Sequence, residues 1–568
     1  MTQAIRKTAP GALEPVPFHI PPPHTSQLGN GLKVVVVEDR RLPLVSFRLG
    51  FLAGEAHDPA DRIGLTSAMA SMLTEGTRNY SSKDLAEKIE RLGASISANS
   101  SEDFLVIAAS SLSIYSSDIL DLVAEIVFQP TFPETELDLY KRNALENLKF
   151  QRSQPNFLAN EQTARILYGD HPYSRVSPSP ADIEKLTRES LSERHGELLV
   201  PNNAVLIVVG DVDKEELTGE LEERFGSWTM SERTTSPFPE PPTRTARTLT
   251  IVDRPGSAQA NIVLANVAME RNSPDYFAVI VMNQVLGAGA SSRVFMNLRE
   301  DKGYTYGAYT RIDARRFAGD FEATAEVRTA VTGESVREFF LELERIRNER
   351  VSDEELADAQ NFLTGVFPIR AETQEGLTNL LVNQELYGLP ADYLQTYREN
   401  VSAITAEDVQ RVAQKYILPD QLAMVIVGDA EEVLPQVREY ADQIEIFDTE
   451  RNPLDISSFE ANTDAAPENV SGNWELNVDF QGQEVQITMS LEQDADNISG
   501  TIETILGSGN IREGKVRGSK VQATASTEIQ GQAVDFVITG SVDGDEMTGV
   551  LSTAVIPDSL AFAGKRKV

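Results

Sequence analysis

The sequence predicts an α+β protein with two homologous α/β-sandwich domains followed by a small all-β domain. The segment PNNAVLIVVGD at residues 201–211 recurs as PDQLAMVIVGD at residues 419–429. Each copy has the pattern of a turn, a buried strand and a Gly-Asp ending. Each copy is preceded by a helix-rich stretch, and the order of elements in the two stretches is comparable. This pattern predicts two copies of one domain. Beyond residue 470, strict apolar alternation predicts strands alone.

The first copy begins with predicted strands at residues 34–37 and 45–49 and a predicted helix at residues 63–73. Ser81 and Asp84 have the spacing of a capping box, which predicts the start of the next helix. Strands and helices therefore interleave within the copy. This order favours a sheet that helices cover on one side.

Breaks in this pattern indicate the domain boundaries. The proline-rich run that begins at Ser236 predicts a stiff, extended linker, and the polar stretch from Arg451 to Val470 has no periodicity. The predicted organisation is an extended N-terminal arm at 1–23, a first domain at 24–235, a linker at 236–244, a second domain at 245–450, a linker at 451–470 and an all-β domain at 471–568.

The last domain has the clearest strand pattern of the chain. Trp474, Leu476 and Val478 alternate with polar residues, and Gln481-Gly482 marks the turn to the next alternating run. Further runs separated by glycine-rich turns predict a small antiparallel barrel or sandwich. No residue here specifies a ligand, so a ligand-binding barrel and an assembly module both remain open.

Composition limits the classes of partner. The chain has 51 Lys and Arg against 87 Asp and Glu, a net charge of −36, and no cysteine. So acidic a surface argues against nucleic acids and anionic membranes as partners, and the absence of thiols excludes disulfides and thiol catalysis. We expect a cytoplasmic location, because neither a signal-peptide apolar run nor a segment able to span a bilayer is present in the sequence.

The most informative segment is GLTSAMASMLTEGT, residues 64–77. On a helix, Ser67, Ala70 and Ser71 would share one face. The frame resembles the insulinase/pitrilysin family, the inverzincins, whose corresponding helix carries H-x-x-E-H. On that pattern Ser67 and Ser71 stand where the zinc-binding histidines belong, and Ala70 stands where the general-base glutamate belongs. None of these side chains has the donor atoms that a catalytic zinc requires.

The resemblance places the third zinc ligand on a later helix, in the run Leu145-Glu146-Asn147. Asn147 occupies the ligand position, and Glu146 would point about 100° away on a helix. We therefore expect neither a metal nor another cofactor in this chain. The alternative interpretation is that the small residues of 64–77 serve only close packing between helices.

Two further segments extend the resemblance over about 110 residues. One is SSKDLAEKIERLGASISANSSED, residues 81–103, and the other is Tyr168 to Tyr173, which ends in His-Pro-Tyr. The resemblance implies that the two repeats adopt the half-clamshell fold of these metallopeptidases.

The second repeat retains a segment with possible chemistry. Gly287 and Gly289 are not followed by a Gly-Lys-Ser/Thr run, so a turn before a serine-capped helix is predicted rather than a phosphate loop. Residues 298–306 resemble the family segment whose arginine and tyrosine act on substrate, here Arg299 and Tyr306. The resemblance implies that Arg299 holds a peptide carbonyl and that Tyr306 donates a hydrogen bond to an oxyanion. Alternatively, Arg299 is a surface charge and Tyr306 a half-buried strand residue.

The chain retains the Arg299/Tyr306 segment but has no metal ligand at the positions that correspond to the zinc site. This combination predicts a non-catalytic subunit of a heteromeric zinc endopeptidase. Its partner would be a homologous subunit that carries the zinc, and their substrates would be peptides. Two alternatives remain: an assembly scaffold that kept the fold, and a peptidase active alone through other ligands. No pair of histidines has helical ligand spacing; the five are His19, His24, His57, His171 and His195.

Overall fold

The computed structural model of the chain divides into two compact units. One contains both α/β domains, and the other contains the C-terminal β-domain with the segments Asp253–Ala258 and Gly428–Pro435. The predicted α+β fold class is confirmed. Most of the predicted N-terminal arm, residues 1–18, lies outside the described part of the chain. The structure describes residues 19–231, 237–460, 467–480, 483–504, 507–529, 532–553 and 556–567.

A mixed six-stranded sheet forms the centre of the first domain. Its strands are β1 (His24–Gln27), β2 (Lys33–Glu38), β3 (Leu44–Phe51), β4 (Ser95–Ser100), β5 (Leu105–Leu112) and β6 (Ala204–Gly210). The spatial order is β1-β2-β6-β3-β5-β4. β2 and β6 pair in parallel, and the other neighbours are antiparallel. The strands predicted at 34–37 and 45–49 are the central parts of β2 and β3.

Eight helices accompany the described residues of this first domain. They are α1 (Leu65–Met72), α2 (Ser82–Arg91), α3 (Ser116–Phe128), α4 (Glu134–Ser153), α5 (Pro155–Tyr168), α6 (Pro180–Glu184), α7 (Arg188–Leu198) and α8 (Lys214–Phe225). Ser81 caps α2 as predicted, since its hydroxyl accepts a hydrogen bond from the Asp84 N–H. The apolar side of α1, the motif helix, faces the core, where Leu65, Met69 and Met72 are buried.

The second domain repeats this order of elements. Its sheet has the order β13-β12-β7-β11-β8-β10-β9. The strands are β7 (Thr248–Asp253), β8 (Gln259–Val267), β9 (Thr305–Ala314), β10 (Gly319–Arg328), β11 (Ala423–Gly428), β12 (Gln443–Phe447) and β13 (Pro453–Leu454). β13 lies within the segment predicted as a linker at 451–470.

The helices of the second repeat follow the same sequence along the chain. They are α9 (Tyr276–Leu286), α10 (Arg293–Phe295), α11 (Thr332–Asn348), α12 (Asp353–Ala371), α13 (Gln374–Leu386), α14 (Tyr393–Ser402), α15 (Ala406–Tyr416) and α16 (Ala430–Val437), and a short helix α17 (Ser457–Glu460) follows. A π-helical segment, Met296–Asp301, continues α10. In the described part of the chain, no helix has the length and apolar character needed to cross a membrane.

The two α/β domains exchange helices. α5 of the first domain packs on the second sheet, where Leu158 and Leu167 contact a buried cluster that includes Val263. α13 of the second domain packs on the first sheet in the same way, with Leu377 and Leu381 in a cluster with strand valines. Each sheet therefore has its own helices on one face and a helix of the other domain on the opposite face.

A short sequence match marks the equivalence of the exchanged helices. Leu167-Tyr168-Gly169 ends α5, and Leu386-Tyr387-Gly388 ends α13. Counting back from this match, position 163 of α5 corresponds to position 382 of α13.

The C-terminal domain is a closed antiparallel barrel of eight strands in sequence order. They are β14 (Gly472–Phe480), β15 (Gln483–Asp494), β16 (Asn497–Thr504), β17 (Gly507–Arg517), β18 (Lys520–Ile529), β19 (Gln532–Asp543), β20 (Glu546–Thr553) and β21 (Ile556–Lys567). Trp474 is fully buried in its core, and its indole N–H donates to the Val470 carbonyl at 2.8 Å. The Arg566 guanidinium lies 4.7 Å from the Trp474 ring.

Candidate functional site

The degenerate motif lies on α1, which a buried ion pair fixes at its start. Gly64 precedes the helix with a φ of 84°, a left-handed conformation that favours glycine. The Asp58 carboxylate accepts the Thr66 N–H at 3.1 Å and so satisfies one free donor of the first turn. Arg194 of α7 lies 3.2 Å from the same carboxylate, and both charged side chains are buried. The ion pair therefore holds α1 against α7.

Ser67, at the first histidine position, belongs to a half-buried polar cluster. Its hydroxyl is hydrogen-bonded to the Glu55 carboxylate and to the Tyr140 phenol of α4. Ser100 donates another hydrogen bond to Glu55 at 2.6 Å. Burial raises the pKa of Glu55, and the neighbouring Asp58 carboxylate adds to this rise. Burial also raises the pKa of Tyr140 to about 12.

The other three positions of the stripped site hold no metal ligand. Ala70 is buried, whereas Ser71 and Asn147 are exposed. Glu146, one residue from the ligand position, pairs with Lys149 at 3.0 Å, and both side chains are 74% exposed. Within the described ranges, no cluster of three or more histidines and carboxylates could hold a metal ion. The residues present at the four positions therefore do not fit zinc.

The pair of helices that would carry the zinc site is nevertheless retained. α1 and α4 are neighbours. Tyr140 and Asn147 are seven residues apart on α4 and so lie on the same face, and Tyr140 touches Ser67. The helix geometry of the site has thus survived without its donor atoms.

The His-Pro-Tyr block has a structural role, which we call the interdomain clasp. The Tyr173 hydroxyl donates to the Asp103 carboxylate, which follows β4. The second oxygen of Asp103 accepts the N–H of Arg316, a residue of the loop between β9 and β10, at 3.0 Å. His171 accepts the Tyr173 N–H at 3.1 Å. Burial and then the charge of Arg315 lower the pKa of His171 to about 4, so the imidazole is neutral.

Arg299 lies in the π-helical segment at the start of the second predicted site. π-helical turns are rare and occur often at functional positions. The guanidinium carbon lies 4.9 Å from the centre of the Phe295 ring, and Nη1 lies 3.2 Å from the Glu300 carboxylate. The side chain is 45% exposed, so a partner molecule can reach it.

Tyr306 is the second residue of β9, which is the last strand of its sheet. The residue is 92% exposed, the largest exposure among the bulky apolar and aromatic residues of the described chain that lie at the surface. It is therefore not a half-buried strand residue. Arg299 and Tyr306 both lie at the end of β9 that is opposite to the clasp.

The glycine-rich segment before Arg299 forms a turn, as predicted. A Cβ atom at Gly287 would overlap Thr310 of β9, and the Thr310 N–H donates to the Gly287 carbonyl at 3.0 Å. Glycine thus lets the end of α9 approach the strand closely. Ser292 stands at the N-cap of α10, but its side chain makes no capping hydrogen bond, so the prediction of a serine-capped helix is wrong in this detail.

Sequence reasoning missed the groups that occupy the surroundings of the stripped site. Glu55 and Ser100 lie outside the motif, and Tyr140 precedes the third-ligand run by five residues. Two segments of the resemblance contain members of the clasp, since Asp103 ends the segment 81–103 and Tyr173 ends the His-Pro-Tyr segment, but the sequence did not indicate that they meet.

Two α/β repeats that keep the helix pair of a zinc peptidase without its ligands define a peptidase-like protein that lacks the metal-binding set. Family comparison agrees with this class. The family described as "Insulinase (Peptidase family M16)" matches residues 33–180, and the family described as "Peptidase M16 inactive domain" matches residues 185–363. The chain belongs to the insulinase family, peptidase family M16, as the resemblance predicted. The barrel strands lie outside both matched ranges.

Two bacterial relatives cover most of their own length. An "Uncharacterized zinc protease YmxG" of Bacillus subtilis is 22% identical over 401 residues, which are 70% of this chain and 96% of the relative. A "Non-peptidase homolog YmxG" of Helicobacter pylori is 22% identical over 409 residues, which are 71% of this chain and 94% of the relative. The family thus includes relatives of both descriptions.

Two crystal structures match the fold. A peptidase M16 inactive domain from Pseudomonas fluorescens has a TM-score of 0.68 and 26% identity, covering 72% of this chain and 98% of that one. A protease from Helicobacter pylori has a TM-score of 0.67 and 19% identity, covering 72% of this chain and all of that one.

Proposed function

We propose that this chain is the non-catalytic subunit of a heteromeric zinc endopeptidase. Its partner is a homologous subunit that retains H-x-x-E-H and binds the zinc. The two subunits enclose peptide substrates, and this chain supplies Arg299 and Tyr306 to the partner's metal site.

The observation that carries the proposal is the exposure of Tyr306. A tyrosine that is 92% exposed at the end of an edge strand has little to do for the fold of its own domain. Arg299 precedes it by seven residues and is also accessible. The chain has lost the donors of its own site, so these groups can act only on a site that another subunit provides. The description of the Helicobacter pylori relative as a non-peptidase homologue supports the proposal that the isolated chain is inactive.

The chemistry of the two side chains suits a peptide undergoing hydrolysis. An arginine fork donates two directed hydrogen bonds and can hold a peptide carbonyl in one orientation. A phenol can donate one hydrogen bond to the oxyanion of a tetrahedral intermediate. Removal of a single oxyanion donor typically lowers kcat by about 100-fold to 1000-fold.

The test is reconstitution with a homologous subunit that retains H-x-x-E-H. Zinc content and cleavage of an unfolded peptide are measured for each chain alone and for the mixture. We expect activity only in the mixture, no stoichiometric zinc in this chain, and a fall of roughly 100-fold in the kcat of the mixture with Tyr306→Phe or Arg299→Ala. Arg350→Ala removes a comparably exposed charge elsewhere on the domain and should leave kcat unchanged.

Each alternative has its own outcome in this experiment. A mixture whose turnover does not respond to either substitution identifies the chain as a structural scaffold that kept the peptidase fold. Zinc and cleavage activity in the isolated chain would identify a peptidase that works through other ligands.

A further inference from the structure

A small polar cavity lies where α5 of the first domain meets β9 and β10 of the second. We call it the interdomain cavity; its volume is about 150 Å³. It adjoins a larger recess of about 590 Å³, the outer groove, because Asn160, Arg311 and Glu322 line both. Neither space includes Arg299, Tyr306 or a position of the stripped metal site.

Two buried oxygen atoms on residues that line the cavity have no hydrogen-bond partner among the residues that the structure describes. They are Oδ1 of Asp320 and Oγ1 of Thr163, whose residues are 2% and 1% exposed. The other oxygen of Asp320 is fully used, since it accepts from the Tyr168 hydroxyl at 2.6 Å and from Arg315 at 2.8 Å. Buried polar groups almost always have partners, so two unpaired oxygen atoms on residues that line one cavity, each able to accept a hydrogen bond, indicate a ligand with hydrogen-bond donors.

The charge of the cavity favours a cationic donor. Its lining includes four carboxylates and three guanidinium groups. Arg315 is held by Asp320, and Arg311 by Glu322 at 2.8 Å, so these arginines are already neutralised. Burial and the charge of Glu322 raise the pKa of Asp320 to about 6, and the charge of Arg315 opposes this rise.

The hydroxyl at position 163 has no counterpart in the second repeat. The equivalent position of α13 is Val382, which packs in the apolar cluster on the first sheet. A side chain without a hydroxyl group can therefore pack well at this helix position. The threonine hydroxyl is a feature of the first repeat alone, at the one copy of the position that faces the cavity.

The outer groove supplies apolar walls beside this polar end. Phe150, Phe157, Val263 and Tyr309 line it, and Phe150 is 65% exposed. Such walls suit an alkyl chain, whereas the cavity suits a compact head with several donors. An ammonium group has three donors and a single charge. In a lysine residue, a hydrocarbon stem separates this group from the backbone.

We propose that the interdomain cavity binds a primary alkylammonium group, which donates hydrogen bonds to Asp320 Oδ1 and Thr163 Oγ1 while its stem lies in the outer groove. The group comes from a lysine side chain of a peptide or from a free alkylamine. Binding needs neither the zinc-bearing partner nor Arg299 and Tyr306, so this proposal and the proposed function can fail separately.

The test is calorimetric titration of the full chain with three probes. They are an alanine-rich peptide with one central lysine, the same peptide with norleucine at that position, and n-butylammonium. We expect the lysine peptide to bind about tenfold or more tightly than the norleucine peptide, because only an ammonium satisfies the two acceptors. Binding of n-butylammonium as tight as that of the lysine peptide would identify a free amine as the ligand source, and weaker binding would identify a peptide.

Thr163→Val is the decisive variant because it removes a hydroxyl that has no hydrogen-bond partner in the described part of the chain. It should fold with an unchanged or higher Tm and bind the lysine peptide and n-butylammonium roughly five- to tenfold more weakly. Thr378→Val is the matched control, since Thr378 is buried on the equivalent helix α13 and its hydroxyl bonds to the Gln374 carbonyl. It should leave binding unchanged. Equal affinity for the lysine and norleucine peptides, or full affinity in Thr163→Val, overturns the proposal.

Discussion

The two α/β domains both pair an aspartate that precedes their first helix with an arginine of a later helix, but they do so in opposite environments. In the first domain, the Asp58 side chain is fully buried and Arg194 is 7% exposed. In the second, Asp275 precedes α9 and pairs with Arg411, which is 51% exposed, at 2.7 Å. The same contact is therefore internal in one repeat and close to the surface in the other.

The difference appears in the pKa of the two carboxyl groups. Burial raises the pKa of Asp58, in spite of its hydrogen bonds from Thr66 and the charge of Arg194. Burial also acts on Asp275, but hydrogen bonds from Lys415, Arg411 and Tyr416 outweigh it and lower the pKa to about 2. The first repeat thus retains a buried ion pair under a helix that has lost its metal ligands. The helix that carries Ser67, Ala70 and Ser71 therefore has a buried ionic support although these three side chains provide no metal ligand.

The largest expected effect separates the two ion pairs. Arg194→Ala leaves the Asp58 carboxylate buried without its counter-charge, so we expect a loss of about 3–5 kcal/mol in the free energy of unfolding. Arg411→Ala removes an exposed partner and should lower it by about 1 kcal/mol or less. Denaturant unfolding of the two variants measures the difference. Equal losses of unfolding free energy in the two variants would show that burial does not distinguish the two ion pairs.

A smaller effect concerns the pH dependence of stability. The pKa of Glu55 is raised above its ordinary value of 4.5, so the ionised form is less favourable in the folded protein than in the unfolded chain. The stability associated with this group is present below pH 4.5 and is lost as the pH rises through the folded-state pKa. Glu55→Gln should therefore raise Tm, relative to the unmodified chain, by more at about pH 8 than at about pH 4.5.

Asp275 in the second repeat should show the opposite dependence. Its stabilising contribution is present above the ordinary pKa of 3.8 and is lost as the pH falls toward about 2. The Tm difference between Asp275→Asn and the unmodified chain should consequently shrink on acidification over that range. If the Tm differences of Glu55→Gln and Asp275→Asn from the unmodified chain changed with pH in the same direction, burial would not distinguish the two repeats.

The smallest effects are expected at the exposed positions of the stripped site. Ser71 and Asn147 lie at the surface, so Ser71→Ala and Asn147→Ala should each change the free energy of unfolding by less than about 0.5 kcal/mol. Ser67→Ala removes a hydrogen bond to half-buried Glu55 and should lower the free energy of unfolding by about 1 kcal/mol. Losses of similar size at all three positions would mean that Ser71 and Asn147 have acquired structural roles of their own.

Features that depend on local pattern or residue identity could be predicted from the sequence. The recurrence of PNNAVLIVVGD, the start of α2 at Ser81 and the alternation from Trp474 all report local periodicity, and the structure contains the corresponding elements. The absence of donors at Ser67, Ala70, Ser71 and Asn147 is a property of the side chains themselves. Its prediction required only the alignment of residues 64–77 with the family motif.

Features that join distant parts of the chain could not be predicted. The sequence indicated the repeat, but the exchange of α5 and α13 depends on which sheet face each helix covers, and periodicity does not specify a partner. The Ser67 cluster unites Glu55, Ser100 and Tyr140, and the clasp joins Tyr173 to Arg316 through Asp103.

By itself, therefore, the sequence determined the class of elements, their repetition and the loss of zinc chemistry, because these follow from residue type and short-range spacing. Only the tertiary structure decided that Tyr306 is exposed and that Thr163 and Asp320 share a cavity. Exposure and the pairing of buried polar atoms depend on which surfaces meet when the two repeats pack against each other. Long-range contacts determine those surfaces. The spacing of residues along the chain does not predict which long-range contacts form.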